Sequence, residues 1–182
     1  MATVFDKILD TTTGPKAYDW YRRQVRAITT PGARALINQG KATMRPKYGV
    51  MNLFGYDAKH KATLPYYDRF PLVLPLERYD DGFLGINLHY LPMKLRIRLL
   101  DRLVDYSNNT KFDESTTLDV DYSQLKKIKL IKPTLKRYLA GRVKTQFRRI
   151  DADEFTVAAL LPVQRFKKAS VAEVYADSRK II

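Results

Sequence analysis

The side chains able to perform acid–base, nucleophilic or metal chemistry are few in this chain. Its 182 residues include two histidines and no cysteine. His60 lies in a polar stretch and His89 near the end of a predicted strand, and isolated histidines are usually structural or solvated. The acidic residues of predicted loops, which could in principle hold a divalent cation, are Asp57, Asp68, Asp80 and Asp81. Turn formation and helix capping explain these carboxylates more simply than a metal site does.

Known catalytic and cofactor motifs are also missing from the sequence. There is no glycine-rich phosphate loop, no serine on a strand-to-helix elbow and no pair of histidines at metal-ligand spacing. We therefore expect a protein that binds or assembles rather than an enzyme, with no cofactor and no bound metal.

Positive charge is the strongest feature of the sequence, with 33 Lys and Arg against 19 Asp and Glu for a net charge of +14. Ten basic residues and no acidic residue lie between Leu125 and Arg149. Such a cluster attracts phosphates or acidic protein surfaces, although a solvated face is the simpler alternative. The candidate binding residues are Lys126, Lys127, Lys129, Lys132, Lys136, Arg137, Arg142, Lys144, Arg148 and Arg149. Replacing Lys144, Arg148 and Arg149 by Gln should then flatten the salt dependence of nucleic-acid binding.

The apolar residues show no sign of membrane insertion. No run reaches the roughly 18 apolar residues of a spanning helix, and the first residues lack the apolar core of a secretion signal. We therefore expect a protein of the cytosol with no membrane partner.

Two helices are predicted at the N-terminus. The first follows the cap Thr13 and Pro15, and its apolar stripe consists of Tyr18, Tyr21, Val25 and Ile28. The second is capped by Thr30, begins at Pro31 and ends at Gly40.

Alternating residues predict strands in the middle of the chain. One strand covers 49–56, and two more, near 70–78 and 83–90, are joined by a tight turn at Asp81-Gly82. Because Pro71 and Pro75 cannot donate to a sheet ladder, the first hairpin strand is an edge or pairs on its other side there.

The second half of the chain contains both kinds of apolar pattern, the helical period of about 3.6 residues and the strand period of two. Helices are predicted from Pro92 to about Tyr106, from Pro133 to Gly141 and over 170–180. Residues 143–148 read as a strand with one basic face, and 156–161 as a buried strand that ends at Pro162.

Together these elements predict an α+β fold built on a small antiparallel SH3-like β-barrel or sheet, with N-terminal, inserted and C-terminal helices. The predicted division is an N-terminal helical arm (1–48), a barrel-like core (49–165) with a helical insertion (92–140), and a C-terminal helix (166–182).

Four residues stand out as candidates for a protein interface, where aromatic and arginine side chains are enriched. Trp20 lies on the shoulder of the first helix's apolar stripe, and Tyr66 and Tyr67 lie in an aromatic loop within 57–69. Arg96 falls inside the apolar arc of its helix, where it would snorkel to solvent, contact a partner or meet a buried acid.

Several blocks of the sequence resemble one family of phage proteins. They are MNLFGYDAKHK (51–61), LPYYDRFPLV (64–73), GFLGINLHYLP (82–92), KRYL (136–139) and LPVQRF (161–166). The chain resembles, over roughly 14–180, the small virion-associated proteins of large contractile-tailed bacteriophages, which include tevenvirus-like and marine phages.

The resemblance implies a part of the phage particle and leaves open whether it lies in the baseplate, the tail, the neck or at a DNA end. Our first hypothesis is a non-enzymatic structural component of the baseplate or tail that docks on neighbouring virion proteins in a hetero-oligomeric assembly. It implies assembly in the host cytoplasm. The alternative is a DNA-binding protein that protects or packages phage genome ends. No catalytic residue is implied by the family.

Overall fold

The computed structural model describes residues 2–9, 17–27, 32–109 and 113–182. Their helices are α1 (Val4–Leu9), α2 (Tyr18–Ala27), α3 (Ala33–Ile37), α4 (Met93–Leu103), α5 (Tyr122–Leu125), α6 (Phe155–Leu160) and α7 (Val171–Ile181). Their strands are β1 (Ala42–Thr43), β2 (Met51–Leu53), β3 (Tyr67–Asp68), β4 (Leu72–Tyr79), β5 (Gly82–Asn87), β6 (Leu135–Leu139), β7 (Phe147–Ile150) and β8 (Phe166–Lys167).

Six strands form one antiparallel sheet in the order β1-β7-β2-β4-β5-β6, and β3 pairs with β8 in a separate two-stranded sheet. The α+β class is therefore confirmed. The barrel is wrong, because β1 and β6 lie at opposite edges of the large sheet and do not pair with each other. The division of the chain at 48/49 and 165/166 stays a prediction.

The two faces of the large sheet carry different cores. Along β4, Leu72 and Leu74 point into an aliphatic core shared with the helices, whereas Val73 points to the other face, as the two-residue period of a strand requires. The second face carries a compact aromatic cluster of Phe54, Tyr56, Phe83, Tyr138 and Phe147. The burial of these rings stabilises this face of the sheet, and the 57–69 loop packs against it through Ala58 and Tyr67.

The predicted hairpin is confirmed, with a shift in its turn. Tyr79 pairs with Gly82, so the turn residues are Asp80 and Asp81, and Gly82 is the first residue of β5. Gly82 does not have the positive φ expected of a turn glycine. A Cβ at this position would lie 1.9 Å from the carbonyl oxygen of Tyr138. Glycine is therefore required here by the close approach of β6.

The first hairpin strand is not an edge. β4 pairs with β5 along its length but with β2 only at Leu72 and Val73, before Pro75. The ladder shifts register between Pro75 and Glu77. This agrees with the expectation that a proline-bearing strand pairs on its other side.

Two predicted elements of the second half have the wrong type. The segment 133–141, predicted as a helix, contains β6 (Leu135–Leu139) instead, and this strand lies inside the segment predicted as a helical insertion. Residues 156–161 form most of α6 rather than a strand. A capping box between Asp151 and Glu154 starts the turn that leads into α6, which supplies the N-terminal hydrogen bonds of a short buried helix.

Four other helices, α2, α3, α4 and α7, agree with the predictions, whereas α1 and α5 were not predicted. α4 begins after Pro92 and continues as a 3-10 turn to Tyr106, and α7 is capped by the Ser170 side chain. α2 and α3 correspond to the two N-terminal helices. The strands predicted over 49–56 and 143–148 are present as the shorter β2 and the later β7. The caps and ends predicted at Thr13, Pro15, Ile28, Thr30 and Pro31 lie outside the described residues.

Candidate nucleic-acid interface

The ten basic residues of the 126–149 run do not form one surface. Lys126, Lys127 and Lys129 are exposed beside buried Leu125 and Ile131, which belong to the core shared with the helices. The Lys129–Ile131 turn packs against α4, and Lys132 follows it. The first four cations of the run therefore lie on the helical side of the molecule.

Arg148 and Arg149 are held in ion pairs within the chain. Arg148 is 2% exposed, lies 3.1 Å from Glu154 and stacks over the Phe5 ring. The Arg149 guanidinium lies 2.7 Å from Asp151, which also accepts a 2.5 Å bond from Lys41. Replacing Arg148 by Gln would take a cation from half-buried Glu154, and replacing Arg149 by Gln would take one from buried Asp151. The triple replacement suggested by the sequence is wrong as a test of DNA contact, because it would disturb folding.

The other residues of the run gather beside the 57–69 loop. The backbone N–H of Asp57 donates to the Arg142 carbonyl oxygen at 3.0 Å, and the backbone N–H of Lys144 donates to the Gly55 carbonyl oxygen at 2.8 Å. These bonds place 142–144 against the loop. Arg137 forms an ion pair with Asp81 in the hairpin turn and stacks over Tyr79.

A basic cleft of about 390 Å³ lies on one side of this loop. Four exposed cations line it: Arg34, Arg69, Lys144 and Lys167. Within the described ranges none of the four makes an ion pair. We name this site the basic cleft.

The carboxylate lining the basic cleft is already engaged. Asp57 lies 3.0 Å from Lys61 and accepts a 3.2 Å hydrogen bond from the Tyr67 hydroxyl. The hydrogen bond from Lys61 lowers the pKa of Asp57, so this carboxylate is charged at neutral pH and is balanced by Lys61. The four cations remain available for an anion, and phosphate oxygens are the anions they suit best.

A second cleft, of about 500 Å³, lies on the other side of the loop and is mostly apolar. Tyr66, Tyr90, Tyr138 and Leu135 contribute to its walls. The Tyr66 and Tyr90 rings lie 6.1 Å apart at 36°. We name this site the aromatic cleft. Tyr56 and Tyr67 line both clefts, so the two are neighbours separated by these rings.

Lys136 brings positive charge into the aromatic cleft. Its amine lies 4.1 Å from the centre of the Tyr90 ring, within the range of a cation–π contact. Burial lowers the pKa of Lys136 to about 8. Lys59, His60 and Arg137 also line this cleft, so its apolar interior has a basic border.

A buried polar network supports the floor of the aromatic cleft. Asp68 lies 2.7 Å from the Nδ1 of His89 and accepts backbone N–H bonds of 3.0 Å from Phe70 and Arg165. Burial alone would raise the pKa of Asp68, but His89 and these donors hold it below its usual value. Burial lowers the pKa of His89, so the neutral imidazole donates to the carboxylate. Asp68 therefore fixes β3, and the hydrogen bonds from His89, Phe70 and Arg165 stabilise its buried charge.

Arg96 belongs to the same buried region. It is fully buried and donates to the carbonyl oxygens of Leu91 at 2.7 Å and Ala159 at 2.9 Å, and to the Tyr175 hydroxyl at 2.7 Å. The prediction of an interface position for Arg96 does not fit this burial. Its guanidinium neither snorkels nor reaches the surface, because it ties α4 to α6 and α7.

The other predicted interface residues differ in exposure. Tyr67 is buried, whereas Trp20 and Tyr66 are half-buried. Trp20 packs edge-on against Tyr21 at 5.1 Å, and the Tyr66 hydroxyl donates to Asp177 on α7 at 3.3 Å. Of these residues Tyr66 and Tyr67 line the aromatic cleft. A protein contact at Trp20 or Tyr66 stays a prediction.

Three of the four basic-cleft residues were missed by sequence reasoning. Arg34, Arg69 and Lys167 come from separate parts of the chain, outside the basic run. The antiparallel pairing of Tyr67 with Lys167 and Asp68 with Phe166 brings two of them together. β3 and β8 have two residues each, and so short a pairing leaves no periodic signal in the sequence.

The described residues contain no cluster of three or more His, Asp or Glu side chains suited to a metal ion. In the same residues, no helix combines the length and apolarity needed to cross a bilayer.

Comparison with family models gives one match, over residues 15–180, to the phage T4 terminal DNA protecting protein family. The chain belongs to this family. Searches of curated proteins and of solved structures give no match. Membership of the phage T4 terminal DNA protecting protein family confirms the resemblance to a family of phage virion-associated proteins.

Proposed function

We propose that this protein is a non-enzymatic DNA-binding protein that covers the ends of linear phage DNA and shields them from nucleases. The observation that carries the proposal is the basic cleft, in which four exposed cations, none of them ion-paired within the described residues, line the wall beside one carboxylate that Lys61 balances. The family description names a protein that protects terminal DNA. This favours the DNA-end hypothesis over a place in the baseplate or tail.

Phosphate contacts supply the affinity in this proposal. Lysine and arginine side chains that meet phosphates release condensed counterions, and this term provides most of the sequence-independent binding to DNA. The net charge of +14 supports such binding over the whole surface. The basic cleft concentrates the attraction at one place, beside the 57–69 loop.

The neighbouring aromatic cleft supports a preference for DNA ends. Inside a duplex each base is stacked between two others, so the interior offers a protein its phosphates and groove edges. The last base pair of a linear duplex exposes an unstacked face, and aromatic side chains bind such faces. A duplex end therefore fits this surface, which carries phosphate-binding cations on one side of Tyr56 and Tyr67 and apolar rings on the other.

We place the protein in the phage particle on the strength of its family. Contacts with other virion proteins, through Trp20 or the 57–69 loop, belong to this proposal as predictions. No acid–base or nucleophilic step is assigned to any residue, since the charged groups lining the two clefts are cations and compensated carboxylates.

The experiment is protection of a linear duplex from an exonuclease that begins at double-strand ends. Wild-type protein should protect most of the DNA at saturation. The cleft variant Arg34→Gln/Lys144→Gln/Lys167→Gln should lose protection. The control variant Lys126→Gln/Lys127→Gln/Lys129→Gln loses the same charge from the helical side and should protect like wild type.

Two results would overturn the proposal. One is equal loss of protection in the cleft and control variants, which would mean that net charge alone matters. The other is equal protection of a nicked circle against an exonuclease that starts at nicks, which would mean that ends are not recognised.

A further inference from the structure

We infer that the aromatic cleft takes one unpaired nucleotide from the DNA end, so that the preferred ligand is a frayed end rather than a fully paired one. This inference rests on the proposed function and names the ligand of its second cleft. The cleft volume of about 500 Å³ lies within the range of small-ligand sites, and a single nucleotide is a ligand of that size.

The chemistry of the walls fits a nucleobase. Tyr66 and Leu135 offer apolar surface at the opening, and both are half-buried. Bases of every sequence stack on aromatic side chains because each has a π-face. A cleft that reads no base edge would accept any terminal sequence.

The charges beside the cleft fit the phosphate of the same nucleotide. Lys136 holds its amine over Tyr90, and exposed Lys59 also lines the cleft, as does Arg137, which pairs with Asp81. The carboxylate on this surface, Asp68, is buried and bonded to His89. A negatively charged nucleotide therefore meets cations at the entrance and no uncompensated acid.

The arrangement of the two clefts sets the path of the strand. Because Tyr56 and Tyr67 line both clefts, a strand whose phosphates occupy the basic cleft has its next nucleotide beside the aromatic cleft. A fully paired end keeps that nucleotide in the duplex. An unpaired one can leave the helix axis and enter without the cost of breaking a base pair.

The test uses a short duplex closed at one end by a hairpin loop, with the other end either fully paired or carrying a few mismatched pairs. Wild-type protein should bind the mismatched end about tenfold more tightly, the effect of stacking one base. Leu64 lines the aromatic cleft together with Leu135, so the variants Leu135→Trp and Leu64→Trp fill the cleft without changing any charge. In each variant the affinities for the two ends should become equal.

Leu130→Trp is the matched control, since Leu130 is a half-buried leucine on the helical side. It should keep the preference for the mismatched end. Equal wild-type affinity for the two ends, or a preference that survives in both cleft-filling variants, would overturn the inference. Neither result touches the proposed function, which fails instead when the paired open end binds no better than a duplex closed by hairpins at both ends.

Discussion

Neutralising the basic cleft should change how DNA binding depends on salt. The variant Arg34→Gln/Lys144→Gln/Lys167→Gln removes three exposed cations that make no ion pair among the described residues. Arg69 remains in the cleft. Because these side chains are exposed and hold no ion pair that the described part of the fold depends on, the fold should be retained, and thermal unfolding should stay close to wild type.

The magnitude follows from counterion release. Each phosphate contact contributes about −0.9 to the slope of log K against log salt, so three lost contacts should flatten the slope by about 2.7. Over a fourfold rise in salt concentration, wild-type protein should then lose about fortyfold more affinity than the variant. Sequence preference should not change, because phosphate contacts carry no base information.

The assay is fluorescence anisotropy of a labelled linear duplex over a series of salt concentrations. The control variant Lys126→Gln/Lys127→Gln/Lys129→Gln carries the same net charge and should keep the wild-type slope. If the control flattens the slope as much as the cleft variant does, the DNA contacts are spread over the whole basic surface. That outcome would refute the assignment of phosphate contacts to the cleft.

Three further predictions concern the scaffold around the clefts. Gly82→Ala should lower the free energy of unfolding by about 3 kcal/mol, because the added Cβ would lie 1.9 Å from a backbone oxygen of β6. The control Gly141→Ala, whose added Cβ would lie within 4 Å of no non-neighbouring described atom, should be nearly neutral in the same denaturant titration. Arg148→Gln should cost about 3 kcal/mol by breaking a buried ion pair, unlike Lys144→Gln; equal stabilities would contradict the structure. Lys136 should titrate near pH 8 in NMR spectra of the methylated protein, since burial lowers its pKa to about 8, and a midpoint near the ordinary value of about 10.4 would show that its amine is solvated.

The sequence correctly predicted those elements that are specified by residues close together in the chain. The hairpin needed only two alternating runs and an Asp-Gly pair, and α7 needed only the Ser170 cap and a helical period. The strand predicted at 156–161 failed because a six-residue apolar run shows no period that separates a buried helix from a buried strand. The helix predicted at 133–141 failed because the spacing of Leu135, Tyr138 and Leu139 matches a helix, while pairing with β5 decides the outcome.

The candidate interface was less predictable than the fold. Charge counting found Lys144, but it could not separate this exposed cation from Arg148, which is buried against Glu154. Burial of Arg148 depends on its packing against Phe5, which comes from the far N-terminal part of the chain. Lys167 joins the cleft through the pairing of β8 with β3, and Arg34 through the packing of α3 against β7. These contacts join segments far apart in the chain, and a single sequence shows no trace of them.

The most direct test of DNA-end binding compares two duplexes of the same sequence, one open at its ends and the other closed by hairpin loops at both. Both molecules present the same phosphates, so counterion release is matched and the ends alone differ. We predict that the open duplex competes for the protein at a much lower concentration than the closed one, and that the cleft variant loses this difference. Equal competition by the two duplexes would contradict the account, because it would show a protein that binds DNA along its length.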